Sequence, residues 1–226
     1  MCDCRNFDLR SDLDQALATE VGARLAEAIA QRGSAYLVVS GGSTPEGLFK
    51  LLAGQSLAWS KVTVVLADER WVPPGHEDSN ERLVRTLLMT DYARDAHFVS
   101  LIPRLDDTSA NIAAISALLD NMPQFDVVLL GMGEDAHTAS LFPCAPEIDE
   151  GLSTDASALI THPMNAPHRR VSLSRNRLSR TRFGVIHIVG DAKKSVYQQA
   201  SESKMPERFP IAAFSTGGAF RCWWAP

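Results

Sequence analysis

The chain reads as an α/β domain: a largely parallel sheet with helices on both faces. Three observations predict this. Short apolar runs alternate with stretches of helical periodicity through most of the sequence. The run "KVTVVLAD" (61–68) is β-branched and continuous, as in a strand buried on both faces. No linker, repeat or low-complexity segment interrupts the alternation, so 1–226 is expected to be one domain.

The elements follow in order. Residues 11–33 carry apolar positions at helical spacing, with Ser11 placed as a cap and Gly33 where the helix should stop. A short strand at 35–40 leads into "GGSTPEGLFKLL", where Thr44 stands as a cap and Pro45 at the first helical position. The strand at 61–68 comes next, then a capped helix at 78–88, a strand at 97–102, a helix at 107–120 and the strand "FDVVLLG" at 125–131. Further strands are expected at 157–162, 169–174 and 183–190, and a helix at 191–202. The tail, 209–226, is expected to add edge structure.

Composition narrows the function. Of the 226 residues, 45% are hydrophobic and 22% charged, as in ordinary globular proteins. A net charge of −5 argues against general affinity for nucleic acid or membrane, so an anionic ligand would need a local basic cluster. Cys2, Cys4, Cys144 and Cys222 form no C-x-x-C units, which gives a zinc site no support. The opening "MCDCRNFDLRSD" lacks the apolar stretch of a secretory signal, so reduced thiols and a cytoplasmic location are expected. Cys2 and Cys4 read as incidental, and Cys222, Trp223 and Trp224 as packing.

In a parallel sheet, ligands bind outside the carboxyl ends of the strands. That rule selects the loops 41–44, 68–80, 131–142 and 190–193. In the first, glycines expose backbone amides, Ser43 and Thr44 add hydroxyls, and a helix N-terminus follows, a combination suited to phosphate. No Gly-Lys-Ser/Thr follows, so this is not a Walker loop. In the second, Asp68, Glu69 and Arg70 leave the strand end; Arg70 offers a planar fork, while Glu69 reads as part of a surface ion-pair cluster and His76 as an exposed loop histidine. In the third, Gly131, Gly133 and Ala136 fit G-x-G-x-x-G/A, but Pro143 comes too early for the helix a dinucleotide needs, and no acid-ended strand follows. The alternative is that Asp135 orients His137 as a general base. Downstream, strand alternation prevents Arg169 and Arg170 from facing the same way. Lys193 opens a helix after Gly190, whereas Lys194 reads as a surface lysine. Arg70, Arg170 and Lys193 are together the basic cluster an acidic protein would need.

Five stretches in this order, "VSGGSTPEGLFKLL", "DERWVPPGHEDSNERLVRTLL", "LLGMGEDAHTASLFP", "PHRRVSLS" and "IVGDAKKSVYQQA", resemble the motif set of the 6-phosphogluconolactonases, from about residue 36 to about 200. The resemblance implies a Rossmann-like αβα sandwich and hydrolysis of the δ-lactone of 6-phosphogluconate in the oxidative pentose phosphate pathway, without metal or organic cofactor. It implies His137 as general base and Asp135 as the acid of the same motif. Gly42, Ser43 and Thr44 match the phosphate loop, Arg70 the arginine of D-E-R, Arg170 the arginine before V-S-L, and Lys193 the lysine of G-x-x-K; Asp68 is counted with the substrate-binding groups. The implied partner is a small sugar-phosphate lactone, with the chain a monomer or homodimer. One residue departs from the pattern: Ala136 stands where the family usually has glycine. If that position needs positive φ, alanine costs about 1 kcal/mol or more and could tilt His137. If it needs only close approach, one methyl is tolerated.

Two rivals remain at this level. Glucosamine-6-phosphate deaminase/isomerase shares the fold, but here no carboxylate follows His137 until Glu147. A sugar-phosphate-binding regulator is the other, although the first 34 residues read as one helix rather than a helix-turn-helix.

Overall fold

The computed structural model describes residues 4–203, 205–215 and 218–226. A short strand β1 (Cys4–Asn6) precedes the long helix α1 (Arg10–Arg32), strand β2 (Ala35–Val39) and helix α2 (Glu46–Ala53). Then come β3 (Val62–Leu66), β4 (Asp68–Arg70), α3 (Asn80–Leu87), β5 (His97–Val99), α4 (Thr108–Asp120) and β6 (Phe125–Leu130). The second half contains α5 (Ile148–Ser153), β7 (Ala158–Thr161), β8 (Arg170–Leu173), α6 (Arg175–Ser179), β9 (Thr181–Val189), α7 (Asp191–Glu202), α8 (Ala212–Ser215) and β10 (Phe220–Ala225).

Seven strands form one sheet in the order β1-β10-β9-β6-β2-β3-β5, every neighbouring pair parallel. Helices flank it, which is the predicted α/β architecture. Its centre is apolar throughout: Val38, Val64, Val128 and Ile186 are all fully buried. Helix α1 covers it with Leu13, Leu17, Val21, Leu25 and Ala28, one stripe at helical spacing. Each such leucine, fully buried, contributes about 1.5–3 kcal/mol. Among the described residues no helix is long and apolar enough to cross a membrane.

The differences from the sequence reading have local causes. Helix α1 starts at Arg10, before Ser11, because the extended Leu9 already supplies its carbonyl to the amides of Asp12 and Leu13. Gly33 does stop it, at φ 80°. Pro45 rather than Thr44 occupies the cap position of α2, and no side chain among the described residues caps that helix. The predicted strand 61–68 divides at Ala67: Asp68–Arg70 leave the main sheet and pair antiparallel with β8, which pairs in turn with β7. This small sheet projects a second set of side chains toward the strand ends.

The tail is more integrated than expected. Strand β10 lies inside the sheet, between β9 and β1, so β1 is the edge. Cys4 and Cys222 face each other in the β1–β10 register and form a disulfide, correcting both the reading of Cys4 as incidental and the expectation of reduced thiols. Cys2 lies outside the described residues. Trp223 packs against Phe7 with ring centroids 5.5 Å apart, and Trp224 Nε1 donates to the carbonyl of Gly190 at 3.0 Å.

Candidate active site

The loop after β2 turns at Gly42, whose φ of 87° suits glycine. Gly41 is required for a different reason: a Cβ there would collide with the side-chain amide of Asn80. Arg10 of α1 fixes the same loop, donating from Nη2 to the carbonyls of Ser43 and Thr44 at 2.9 and 3.0 Å.

Strand alternation governs β4. Asp68 and Arg70 leave one face and Glu69 the other. Glu69 is therefore buried, not part of a surface ion-pair cluster. Its carboxylate accepts the amides of Asn80 and Glu81 at 2.8 and 2.7 Å and the Ser79 hydroxyl at 3.0 Å, fastening the N-terminus of α3. Burial raises its pKa, against the pull of those donors. Across the small sheet, Arg70 is the direct register partner of Arg170. Arg170 is buried, with Nη1 3.9 Å from Asp68 Oδ2. Burial lowers its pKa, Asp68 opposes that, and the Arg70 charge adds to it. Arg169 points elsewhere, its guanidinium carbon 4.4 Å from the centroid of Trp71.

The loop after β6 carries His137. The turn closes through Ala136 N–H to the Gly133 carbonyl at 3.1 Å and Gly133 N–H to the His137 carbonyl at 2.9 Å. His137 Nδ1 lies 2.6 Å from Asp135 Oδ1, which also accepts the His137 amide at 3.2 Å. Partial burial works against the Asp135 carboxylate, but the His137 bond and charge prevail and hold its pKa below the ordinary value. A Cβ on Gly133 would strike both the His137 ring and the Asp135 carboxylate, so this motif glycine makes room for the pair. Ala136 has φ 65°, so the position does require the left-handed region; its methyl is fully buried and its carbonyl accepts the amide of Ile211. Farther along, the Ser140 hydroxyl donates to Asp68 Oδ2 and the Ser140 amide to Ser172 Oγ, tying this loop to the small sheet.

These segments enclose a cavity of about 230 Å³. Gly42, Ser43 and Thr44 line it from the first loop, and Asp68, Arg70 and Arg170 from the small sheet. His137 and Lys193 complete the set, so the predicted residues come together, with Asp135 present through its bond to His137. Lys194 instead lies over Trp224, its Nζ 3.5 Å from the ring centroid. Ser40, Asn80 and Thr138 also line the cavity and were not singled out from sequence. Asn80 gives no sequence signal beyond a helix start; its place follows from its amide bond to the Asp68 carbonyl at 2.9 Å.

His76 is not a free loop histidine. Its Nδ1 accepts the Asp78 amide at 3.1 Å and its ring meets His168 edge-on at 5.5 Å; His168 Nε2 lies 3.0 Å from Asp78 Oδ2. The donor atoms of these three side chains lie within 4.8 Å of one another, but they are already engaged mutually. Asp78 also accepts Arg70 Nη1 at its carbonyl, so the cluster joins two loops beside the cavity.

The chain is similar to known proteins over nearly its whole length. Residues 8–224 match the family model described as glucosamine-6-phosphate isomerases/6-phosphogluconolactonase. A protein of Rhizobium meliloti strain 1021 named 6-phosphogluconolactonase is 42% identical over 225 residues, covering 97% of each chain. Another of that name from Pseudomonas putida is 40% identical, covering 89% of this chain and 84% of its own. The crystal structure of a 6-phosphogluconolactonase from Shewanella baltica superposes with a TM-score of 0.97 at 42% identity, over 100% of this chain and 98% of that one.

Proposed function

We propose, from the premise that this chain belongs to the glucosamine-6-phosphate isomerase/6-phosphogluconolactonase family, that it hydrolyses 6-phospho-D-glucono-1,5-lactone to 6-phosphogluconate. The observation that carries this reading is a His137–Asp135 pair at a cavity that also receives Arg70, Arg170 and Lys193. A lactone is an activated ester, so its hydrolysis needs a positioned water, a base and a donor for the developing oxyanion.

With Nδ1 engaged by Asp135, His137 has Nε2 left to take a proton from water as the oxygen attacks C1. Asp135 selects that tautomer and balances the imidazolium that forms. Backbone amides of the glycine loops or an arginine hold the oxyanion. The imidazolium then returns a proton to the ring oxygen as the C1–O bond breaks. The phosphate, remote from C1, meets Ser43, Thr44, Arg170 and Lys193, and its binding fixes the orientation of the lactone.

The deaminase/isomerase alternative needs a carboxylate base at C2. Glu147, the first acid after His137, is held by His162 through Nδ1 at 2.7 Å and its amide at 3.0 Å. Asp68 lines the cavity but accepts from Ser140 and faces Arg170. Neither is free for that work. The test is proton release from freshly prepared 6-phosphogluconolactone above the spontaneous rate, with glucosamine 6-phosphate as control. Ammonia from the amino sugar would overturn the reading, and tight binding of 6-phosphogluconate without lactone turnover would make the chain a binding protein.

A further inference from the structure

Between His137 and Phe142 the chain doubles back on itself. Thr138 and Leu141 form an isolated bridge, the Leu141 amide reaches the Thr138 carbonyl at 3.0 Å, and Ala139 sits at φ 48°. This tight reversal lays the Phe142 ring on the His137 imidazole, with centroids 3.9 Å apart and planes 18° from parallel. Phe142 is only 4% exposed, so the ring is itself held by packing.

The stack does what the Asp135 bond cannot. A single hydrogen bond at Nδ1 fixes one atom of the imidazole and leaves its plane free to rock about that atom. A parallel ring against the imidazole face removes that freedom. The stack also bears on charge. His137 shares its cavity with the cations Arg70, Arg170 and Lys193 and with Asp68, and its Nδ1 is bonded to Asp135. The face of an aromatic ring attracts a cation, more strongly when water is excluded. Phe142 thus adds to Asp135 in stabilising the imidazolium without introducing a competing base.

We propose that Phe142 is a positioning residue for the reaction: its ring sets the plane of His137, directs Nε2 to the attacking water and supports the imidazolium that results. This rests on the reading of His137 as general base. The sequence places Phe142 at the end of the His137 loop but does not show that its ring meets the imidazole.

The test is a double-mutant cycle with steady-state lactonase kinetics. Phe142→Leu keeps apolar bulk and removes the ring, and should lower kcat about tenfold, the order expected of a desolvated cation–π contact, with KM changing less than about twofold. Phe142→Tyr keeps the ring and should restore kcat to within about threefold of wild type. Added to His137→Ala, the leucine substitution should cost nothing further. Phe142→Met serves if the leucine variant does not fold. An unchanged kcat, or the same loss with and without His137, overturns the proposal. So does a KM that rises as much as kcat falls, since Arg170 also lies near this ring, 5.3 Å from its centroid. Full activity in His137→Ala would instead overturn the general-base reading. The stack remains testable in that event, by the ring-current shift of the His137 Cε1 proton and its loss in Phe142→Leu.

Discussion

Arg70 and Arg170 stand directly opposite each other in the antiparallel β4–β8 pair, so both guanidinium groups leave the same face of the small sheet. Like charges in that relation repel, and the Nε atoms of both arginines are buried without a hydrogen-bond partner among the described residues. Asp68 lies on the same face but reaches Arg170 only at 3.9 Å. An anion bound between the two guanidinium groups, as the proposed phosphate site requires, would offset that repulsion.

Replacing Arg170 by methionine should therefore raise KM for the lactone about 10- to 100-fold, the value of a hydrogen bond to a charged group. It should leave kcat within a few-fold, as expected for uniform binding of a remote phosphate. Thermal unfolding of the free protein should change little, because removing a buried charge offsets the lost contacts. In wild type 6-phosphogluconate should raise Tm, and in the variant that rise should shrink. A fall in kcat at constant KM would assign Arg170 to the C1 oxyanion instead.

At Ala136 the left-handed backbone and the buried methyl act in opposite directions. A non-glycine residue at φ 65° carries about 1–2 kcal/mol of strain. Burying the methyl returns about 0.8 kcal/mol, and alanine lowers the entropy of the unfolded chain by a further 0.4–1 kcal/mol or about that. The sums nearly cancel, which lets alanine stand at this left-handed position. Ala136→Gly should shift Tm by no more than about 2 °C and kcat by less than about twofold, since the turn bonds around His137 are already formed. Ala136→Val, β-branched in the same conformation, should be strongly destabilised. A large gain in kcat for the glycine variant would mean that alanine does tilt His137.

Which parts of the site were legible follows from the same physics. The loops at the strand ends could be found because glycines, hydroxyls and charges interrupt apolar runs there, and the rule about carboxyl ends applies to any parallel sheet. Alternation said that only one of Arg169 and Arg170 could enter, the resemblance pointed to Arg170, and the β4–β8 register is what puts its side chain on the cavity face. Glu69 was misread because residues 61–68 look like one strand. Once Asp68–Arg70 leave for a second sheet, alternation turns Glu69 inward to α3. Strand β1 is three residues long and has no pattern to read; the Cys4–Cys222 register reveals it only in three dimensions.

His187 supplies a stability prediction independent of catalysis. It is 3% exposed on β9, with Nε2 3.4 Å from Asp14 Oδ1, and neither atom has a hydrogen-bond partner among the described residues. Burial, assisted by the charges of Arg10 and Lys193, lowers its pKa to about 3. The unfolded chain takes up that proton near pH 6.5 and the folded chain does not, so stability is full above about 6.5 and declines toward pH 3, by up to about 1.4 kcal/mol per unit. Asp14, pushed up by burial, acts in the opposite sense, so the comparison of variants carries the test. Urea unfolding between pH 7 and 5 should show the wild-type midpoint falling, and His187→Leu should flatten that slope. Equal slopes in both proteins would mean that His187 is charged within the fold.

The sharpest check on the proposed catalytic pair, His137 and Asp135, is Asp135→Asn. The carboxylate holds His137 twice, at Nδ1 and at the backbone amide, and both contacts converge on Oδ1. An asparagine oxygen could keep that geometry while losing the charge, so the substitution separates orientation from electrostatics. An amide can also turn its NH2 toward Nδ1, which would put the imidazole proton on Nε2 and abolish its use as a base. We expect kcat to fall about 10²-fold or more with KM nearly unchanged, because the loss appears only as the imidazolium forms. The His137 bond keeps Asp135 ionised below the ordinary carboxylate range. The wild-type rate, corrected for spontaneous hydrolysis, should therefore show no acid-side loss from Asp135 at pH 5. Asp135→Glu, charged but one methylene longer, should recover less than full activity, since the short bond to Nδ1 depends on a turn only two residues long. If Asp135→Asn instead kept its kcat, the pair would be a loop clasp, and the base would have to be sought among the other groups of the cavity.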